Sequence, residues 1–361
     1  MAPGDDVLGA GVTDDHEDQG SARDRSGIPL SVLDLAGVAD GQSSSDALAA
    51  TTSLARTADE LGYRRFWVAE HHNMPMVAST APAVLIAHLA SVTQRIRLGS
   101  GGVMLPNFPP LVVAEQFAML EALHPGRVDL GIGRAPGTDP MTAAALRRSE
   151  GALGADDFPQ HLLDLMGLLG DERVPDGLAA RFAATPAATG APSVWLLGSS
   201  GYSAQVAGQL GLPFAFAHHF GSKHTEVAME LYRSRFAPSA VLEKPYAIVT
   251  ASVIAAGSAE EAEWLAGPSR VVSIGLRTNQ LAPIVTPERA EEILAGVRDE
   301  RLTALRGTQM TGTGEEVAES LHRLVQRTEA DELMVTATAH EGAVRERSLE
   351  LLAKAWSLKR G

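Results

Sequence analysis

The chain has 361 residues, 45% of them hydrophobic and 20% charged, with no cysteine and a formal net charge of −14. The missing cysteine excludes disulfides, thiolate metal sites, iron–sulfur clusters and a thiol nucleophile, and the excess of carboxylates, with no stripe of Lys and Arg, argues against nucleic acid or an anionic membrane surface as partner. No run of about 18 apolar residues reads as a membrane span, and the first residues lack the basic-then-apolar order of a signal peptide, so the expected location is the cytoplasm.

Residues 1–27 carry the run Asp14, Asp15, His16, Glu17, Asp18 among Gly and Ser. They offer too few apolar side chains to offset the entropy of ordering, and read as a disordered acidic tail or an added extension, with His16 part of that tail rather than a metal ligand. Residues 28–361 read as a single domain. Short β-rich runs follow in order at 30–36, 65–70, 96–105, 127–133, 193–198, 213–218, 246–256 and 332–338. Amphipathic segments at 46–62, 82–93, 110–122, 202–210, 225–236, 258–266, 315–328 and 341–356 lie between and after them, several opened by Ser45, Pro82, Pro110 or Ser258.

Strands that are apolar over most of their length, each followed by a helix, imply a parallel sheet covered by helices. Eight such units predict an α/β fold of the (β/α)8 TIM-barrel kind. A doubly wound sheet would carry a dinucleotide fingerprint after its first strand, where this chain has Gly37, Asp40, Gly41 and a Ser-rich cap. The stretches 135–192 and 265–314, with helical pieces at 157–169 and 288–301, do not fit the repeat and are expected as insertions at the C-terminal face, forming lids or walls of a pocket.

In a barrel the chemistry stands at the strand ends. The second strand ends in Glu70, His71, His72, Asn73; neighbouring residues of an extended segment point opposite ways, so one histidine faces the pocket and one does not. Gly99, Gly101 and Gly102 in the third strand mark either close approach of a flat ligand or a bend that closes the barrel. The fourth strand leads into Gly131-Ile132-Gly133-Arg134-Ala135-Pro136-Gly137, where Pro136 and a loop stand in place of the helix that a Rossmann turn requires. Arg134 is either a phosphate fork or the partner of a lid carboxylate. Ser199, Ser200 and Ser203 at the next helix start make an anion site or a plain N-cap. His218 and His219, with His71 and His72, raise a metal-hydrolase reading that lacks a first-strand His-x-His, Asp34 standing there alone. His124 and His88 read as structural. Met104, Phe108, His219 and Phe220 are expected around an apolar substrate pocket.

Taken together, Arg65–His72, Leu98–Pro106, Pro125–Arg134 and Gly198–Ser200 with Gly211–Pro213 resemble the bacterial-luciferase-like flavin monooxygenases, in order and over nearly the whole chain past the tail. The wording of Glu70–Asn73 and Arg134–Asp139 is similar to the non-luminescent branch that includes antibiotic-biosynthesis (mensacarcin-type) monooxygenases. The resemblance implies that reduced FMN reacts with O2 at C4a to give a (hydro)peroxide, and that one oxygen atom enters an organic substrate such as an aromatic polyketide or other secondary metabolite. By the same resemblance Arg134, Ser199, Ser200 and Ser203 bind the FMN phosphate, and Gly101 and Gly102 lie against the ring and are joined by a cis peptide. His71 is the catalytic base, supported by Glu70 and His72. A separate NAD(P)H:flavin reductase supplies the flavin, no metal takes part, and the protein is a homodimer. Gly133 stands where luciferases carry a reactive Cys, so light emission is not implied. Some relatives use F420, which stays the alternative cofactor; a metal-dependent barrel hydrolase is the alternative of another class, and a flavin-storage protein a further one.

Overall fold

A computed structural model describes residues 27–147, 157–187, 190–221, 223–298 and 309–359. The expectations for residues 1–26, including His16, and for parts of the two insertions (148–156, 188–189 and 299–308) lie outside the described residues. The strands are β1 (Leu30–Asp34), β2 (Arg65–Val68), β3 (Arg97–Ser100), β4 (Val103–Met104), β5 (Val128–Gly133), β6 (Ser193–Gly198), β7 (Phe214–Phe216), β8 (Ala247–Ala255), β9 (Gln309–Gly312) and β10 (Glu332–Thr336).

Strand pairing is parallel and runs β1-β2-β3-β5-β6-β7-β8; β10 then pairs both β8 and β1, which closes an eight-stranded barrel. β9 lies outside the ring, added to the far end of β8. The single run expected at 96–105 is broken in two at Gly101–Gly102, whose peptide is cis, and β4 resumes the pairing against β5.

Helices α1 (Ser44–Leu61), α2 (Pro82–Val92), α3 (Pro110–Leu123), α4 (Pro140–Arg147), α5 (Phe158–Leu168), α6 (Gly201–Leu210), α7 (Thr225–Arg235), α8 (Ala259–Leu265), α9 (Gly267–Thr278), α10 (Pro287–Leu294), α11 (Gly314–Thr328) and α12 (Gly342–Trp356) follow the strands. α2 and α3 start with Pro at the first helical position, where a missing N–H costs nothing. α1 is capped by Ser43, not by Ser45 as expected, because Asp46 sits three residues on and closes a capping box with it. One expected lid element is a correction. α5, within 135–192, buries Phe158, Leu162 and Leu165 in the main core beside α3 and so belongs to the outer ring.

Inside the barrel, alternate residues stack in layers. The floor is polar. Arg65 on β2 donates to both carboxylate oxygens of Glu332 on β10 (3.0 and 3.1 Å) and to Asp129 on β5 (2.8 Å). Arg97 (β3) and the Trp67 indole (3.0 Å) add donors to Asp129; Tyr246 (2.8 Å) and Ser31 add donors to Glu332. The layer above is apolar: Leu33, Trp67, Trp195, Ala215, Ile248 and Met334, with the two indoles edge to face at 5.3 Å.

Gly99 and Gly101 are explained by this layer. A Cβ at Gly99 would stand 2.7 Å from Trp67 Nε1, and one at Gly101 2.6 Å from Leu33 Cδ1. The third strand is thin because Trp67 on the neighbouring strand fills the space. Breaking a buried, hydrogen-bonded ion pair from one side costs about 3–5 kcal/mol. Arg65→Ala, which leaves two buried carboxylates short of donors, is expected to lose that much in chemical denaturation.

Candidate active site

Above the apolar layer a cavity opens at the C-terminal ends of the strands, as the barrel rule requires. Leu33, Leu35, Trp67 and Met334 form its apolar base, and its rim comes from the ends of β2, β3, β5, β6 and β7. Seven of the nine candidate residues line it: His71, Gly101, Gly102, Arg134, Ser199, Ser200 and Ser203. Glu70 and His72 do not; they stand behind its wall. Phe108 is also displaced from the expected place, because its side chain packs outward against the main core, whereas Met104, His219 and Phe220 do line the cavity.

The two histidine pairs divide in the same manner. His71 faces the cavity and its Nδ1 lies 3.1 Å from the Gly137 carbonyl. A carbonyl can only accept, so Nδ1 carries the proton and Nε2 keeps its lone pair. Burial holds the His71 imidazole below its ordinary pKa and therefore neutral, with the nearby His72 acting in the same direction. His72 instead turns its Nε2 to Glu70 Oε1 (2.9 Å). The Glu70 carboxylate, fully buried, also accepts from the Met104 N–H (3.1 Å), and burial raises its pKa against these donors. Glu70 thus joins His72 to Met104, a cavity residue, and so fixes the backbone on both sides of His71.

Of the second pair, His219 lines the cavity and burial pushes its pKa down to about 4. His218 is turned away onto Thr225 Oγ1 (2.8 Å). Asp34, the only carboxylate considered for a metal on the first strand, points outward to Arg345 (2.6 Å) and Thr51 (2.5 Å). Among the described residues no three His, Asp or Glu are gathered to hold a metal ion.

At the ends of β5 and β6 the walls can hold an anion. Arg134 follows β5 and is half-buried; among the described residues no carboxylate pairs with it. Its guanidinium lies over the Tyr202 ring, 4.1 Å from the centroid. Ser200 is the N-cap residue of α6, yet its hydroxyl makes no capping bond, so the first-turn N–H groups and the serine hydroxyls remain available. A Cβ at Gly198 would stand 2.7 Å from Ser203 Cβ, so only glycine lets that serine reach the rim. A phosphate monoester matches this donor set, and a flat apolar ring matches the Leu33–Trp67–Met334 base. Sequence reasoning gave no role to Tyr202, Thr250 or Met334; the signal that could have found the last two is the inward parity of strand residues, counted from Ile248 and Glu332.

The model of the luciferase-like monooxygenase family matches residues 28–332. The chain belongs to that family. It is 43% identical to a luciferase-like monooxygenase of Escherichia coli K12, over 90% of this chain and 96% of the relative. It is 35% identical to the N-acetyl-S-alkylcysteine monooxygenase of Bacillus subtilis 168, over 91% and 98%. Among solved structures, apo-MsnO8 superposes with a TM-score of 0.86 at 35% identity, covering 94% of this chain and all of that one. The protein is accordingly an oxidoreductase of the luciferase-like monooxygenase family on a (β/α)8 barrel.

The lowered histidine pKa values have a consequence for stability. His71, His218 and His219 take up protons less readily folded than unfolded, so the folded chain binds fewer protons below about pH 6.5. The stability these three histidines contribute is therefore fully present above about pH 6.5 and is lost as the pH falls, each group contributing a slope of at most ~1.4 kcal/mol per pH unit. The denaturation midpoint of His219→Gln is expected to fall less between pH 6.5 and 4 than that of the parent chain.

Proposed function

We propose that the protein is an FMN-dependent monooxygenase that takes reduced flavin from a separate NAD(P)H:flavin reductase and oxygenates a small organic substrate with O2. The observation that carries this reading is the placement of an unpaired guanidinium, Arg134, beside the open N-terminus of α6 at one side of an apolar cavity, with the neutral His71 lining the same cavity. Arg134 and the hydroxyls and N–H groups of Ser199, Ser200 and Ser203 would hold the phosphate. Gly101 and Gly102 would leave their wall of the cavity bare against the ring. Reduced FMN, when bound, supplies two electrons to O2, so that one oxygen atom goes to the substrate and the other leaves as water.

The chain's own part is to exclude water, to orient the substrate and to manage a proton. Leu33, Leu35, Trp67 and Met334 keep the base of the cavity dry. Nε2 of His71 takes a proton from a substrate group, because the Gly137 carbonyl reserves Nδ1 as the donor. Glu70 and His72 position His71 rather than touch the reactants. The apolar base suits a substrate whose reacting part is weakly polar, a class that includes aromatic secondary metabolites and, from the name of one relative, thioethers such as S-alkylcysteines.

The similarity to named monooxygenases supports FMN over F420, because a deazaflavin moves hydride and does not activate O2. For assembly, Val112, Met119 and Leu123 on α3 with Val84 on the adjacent α2 are exposed apolar side chains that a second copy would cover, which supports a homodimer.

Arg134→Ala is expected to weaken FMN binding by about 1.5–3 kcal/mol, the range for a charge-assisted hydrogen bond, in an equilibrium titration followed by flavin fluorescence. An unchanged affinity, or tighter binding of F420 by the parent chain in the same titration, would overturn the assignment. His71→Ala is expected to keep FMN affinity within about twofold and to lower product formation at least tenfold; equal loss of both makes the residue structural. Sedimentation velocity is expected to give the mass of a dimer, and that of a monomer for Val112→Asp.

A further inference from the structure

Tyr202 stands at the second position of α6, between Gly201 and Ser203, and is exposed. It reaches across the rim to Arg134, whose guanidinium carbon lies 4.1 Å from the ring centroid. Arg134 belongs to the end of β5 and Tyr202 to the segment after β6, so this contact joins the two elements that converge on the anion site.

An arginine in a chain of net charge −14 has many carboxylates available as partners. A carboxylate would hold the guanidinium still, but it would neutralise the charge and occupy the N–H donors that an anionic ligand needs. An aromatic face does neither. It attracts the cation through the ring quadrupole and leaves the N–H edge of the guanidinium free. Among the described residues no carboxylate comes within salt-bridge distance of Arg134, and the Tyr202 ring is the group that lies against it.

We propose that Tyr202 is the positioning residue of the phosphate site: it holds Arg134 by a cation–π contact so that the guanidinium meets a phosphate monoester preoriented and uncompensated. The segment Ser199–Ser203 then has two functions. Its serines and first-turn N–H groups face the anion directly, while Tyr202 fixes the cation on the neighbouring strand end. This inference rests on the reading of the cavity as an FMN site and adds the residue that sets its selectivity for the phosphorylated flavin.

The test compares FMN with riboflavin, which has the same ring and no phosphate, in fluorescence titrations of the parent chain, Tyr202→Phe, Tyr202→Leu and Arg134→Ala. Tyr202→Leu is expected to lower FMN affinity about three- to tenfold and to leave riboflavin affinity unchanged; Tyr202→Phe, which keeps the ring, is expected to stay within about twofold of the parent for both. Equal loss of FMN and riboflavin affinity in Tyr202→Leu would make the residue merely structural, and no loss of either would overturn the proposal. So would a Tyr202→Phe variant that behaves like Tyr202→Leu, since the hydroxyl and not the ring would then matter. If Arg134→Ala also treats FMN and riboflavin alike, the phosphate reading of the site has itself failed. An effect of Arg134→Ala on FMN alone, without one from Tyr202→Leu, removes only the role of Tyr202.

Discussion

One buried guanidinium holds the barrel closed. Arg65 starts β2 and reaches Glu332 on β10 in one direction and Asp129 on β5 in the other, so three strands spread around the ring meet at a single side chain. Each of these groups has left water at a cost that only full pairing offsets. The pairing is full: Arg97, Trp67, Tyr246 and Ser31 supply the remaining donors to the two carboxylates. Because the floor is filled by this network and the next layer by two indoles, ligands can enter only from the C-terminal side. The depth of the cavity is thus set from below.

What the sequence made legible follows from how local each feature is. The strands could be read because a parallel barrel strand is apolar on both faces, and the eight runs stand out between helices. The placement of Arg134 and the serines on the cavity could be read because a strand end followed by a helix start is a short-range pattern with a known electrostatic use. The floor could not. Arg65, Asp129 and Glu332 each look like an ordinary charge at the edge of a strand, and only closure of the ring brings residues 65, 129 and 332 together. The direction of Phe108 is hidden for a similar reason, since a residue after a strand end can turn to the cavity or to the outer core. α5 reads as a lid in the sequence because Gly and Pro flank it, although its Phe158, Leu162 and Leu165 spacing is that of a helix packed on one side.

The electrostatics of the cavity run against those of the whole molecule. The chain is strongly acidic, which at long range repels a phosphorylated ligand. The rim offsets this locally, with one guanidinium and one helix N-terminus, while the imidazoles of His71 and His219 stay neutral and add no charge of their own. Recognition of the anion is therefore confined to one end of the cavity. In the proposed function the other part of the cavity is left to uncharged chemistry, with His71, its tautomer fixed by the Gly137 carbonyl, as the group that would accept or return a proton.

The fit between Gly99 and Trp67 has an evolutionary side. The indole occupies the volume that any side chain at position 99 would need, and its Nε1 is bonded to Asp129, which itself lies 2.7 Å from where a Cβ at 99 would stand. Positions 67, 99 and 129 therefore cannot drift one at a time. A side chain at position 99 needs both a smaller residue 67 and a shift of the Asp129 backbone, whose carbonyl oxygen also lies 2.7 Å from that Cβ, and loss of the indole frees a hydrogen-bond acceptor in the floor. The three sites are sterically one unit, so a change at any of them reshapes the base of the cavity through the other two.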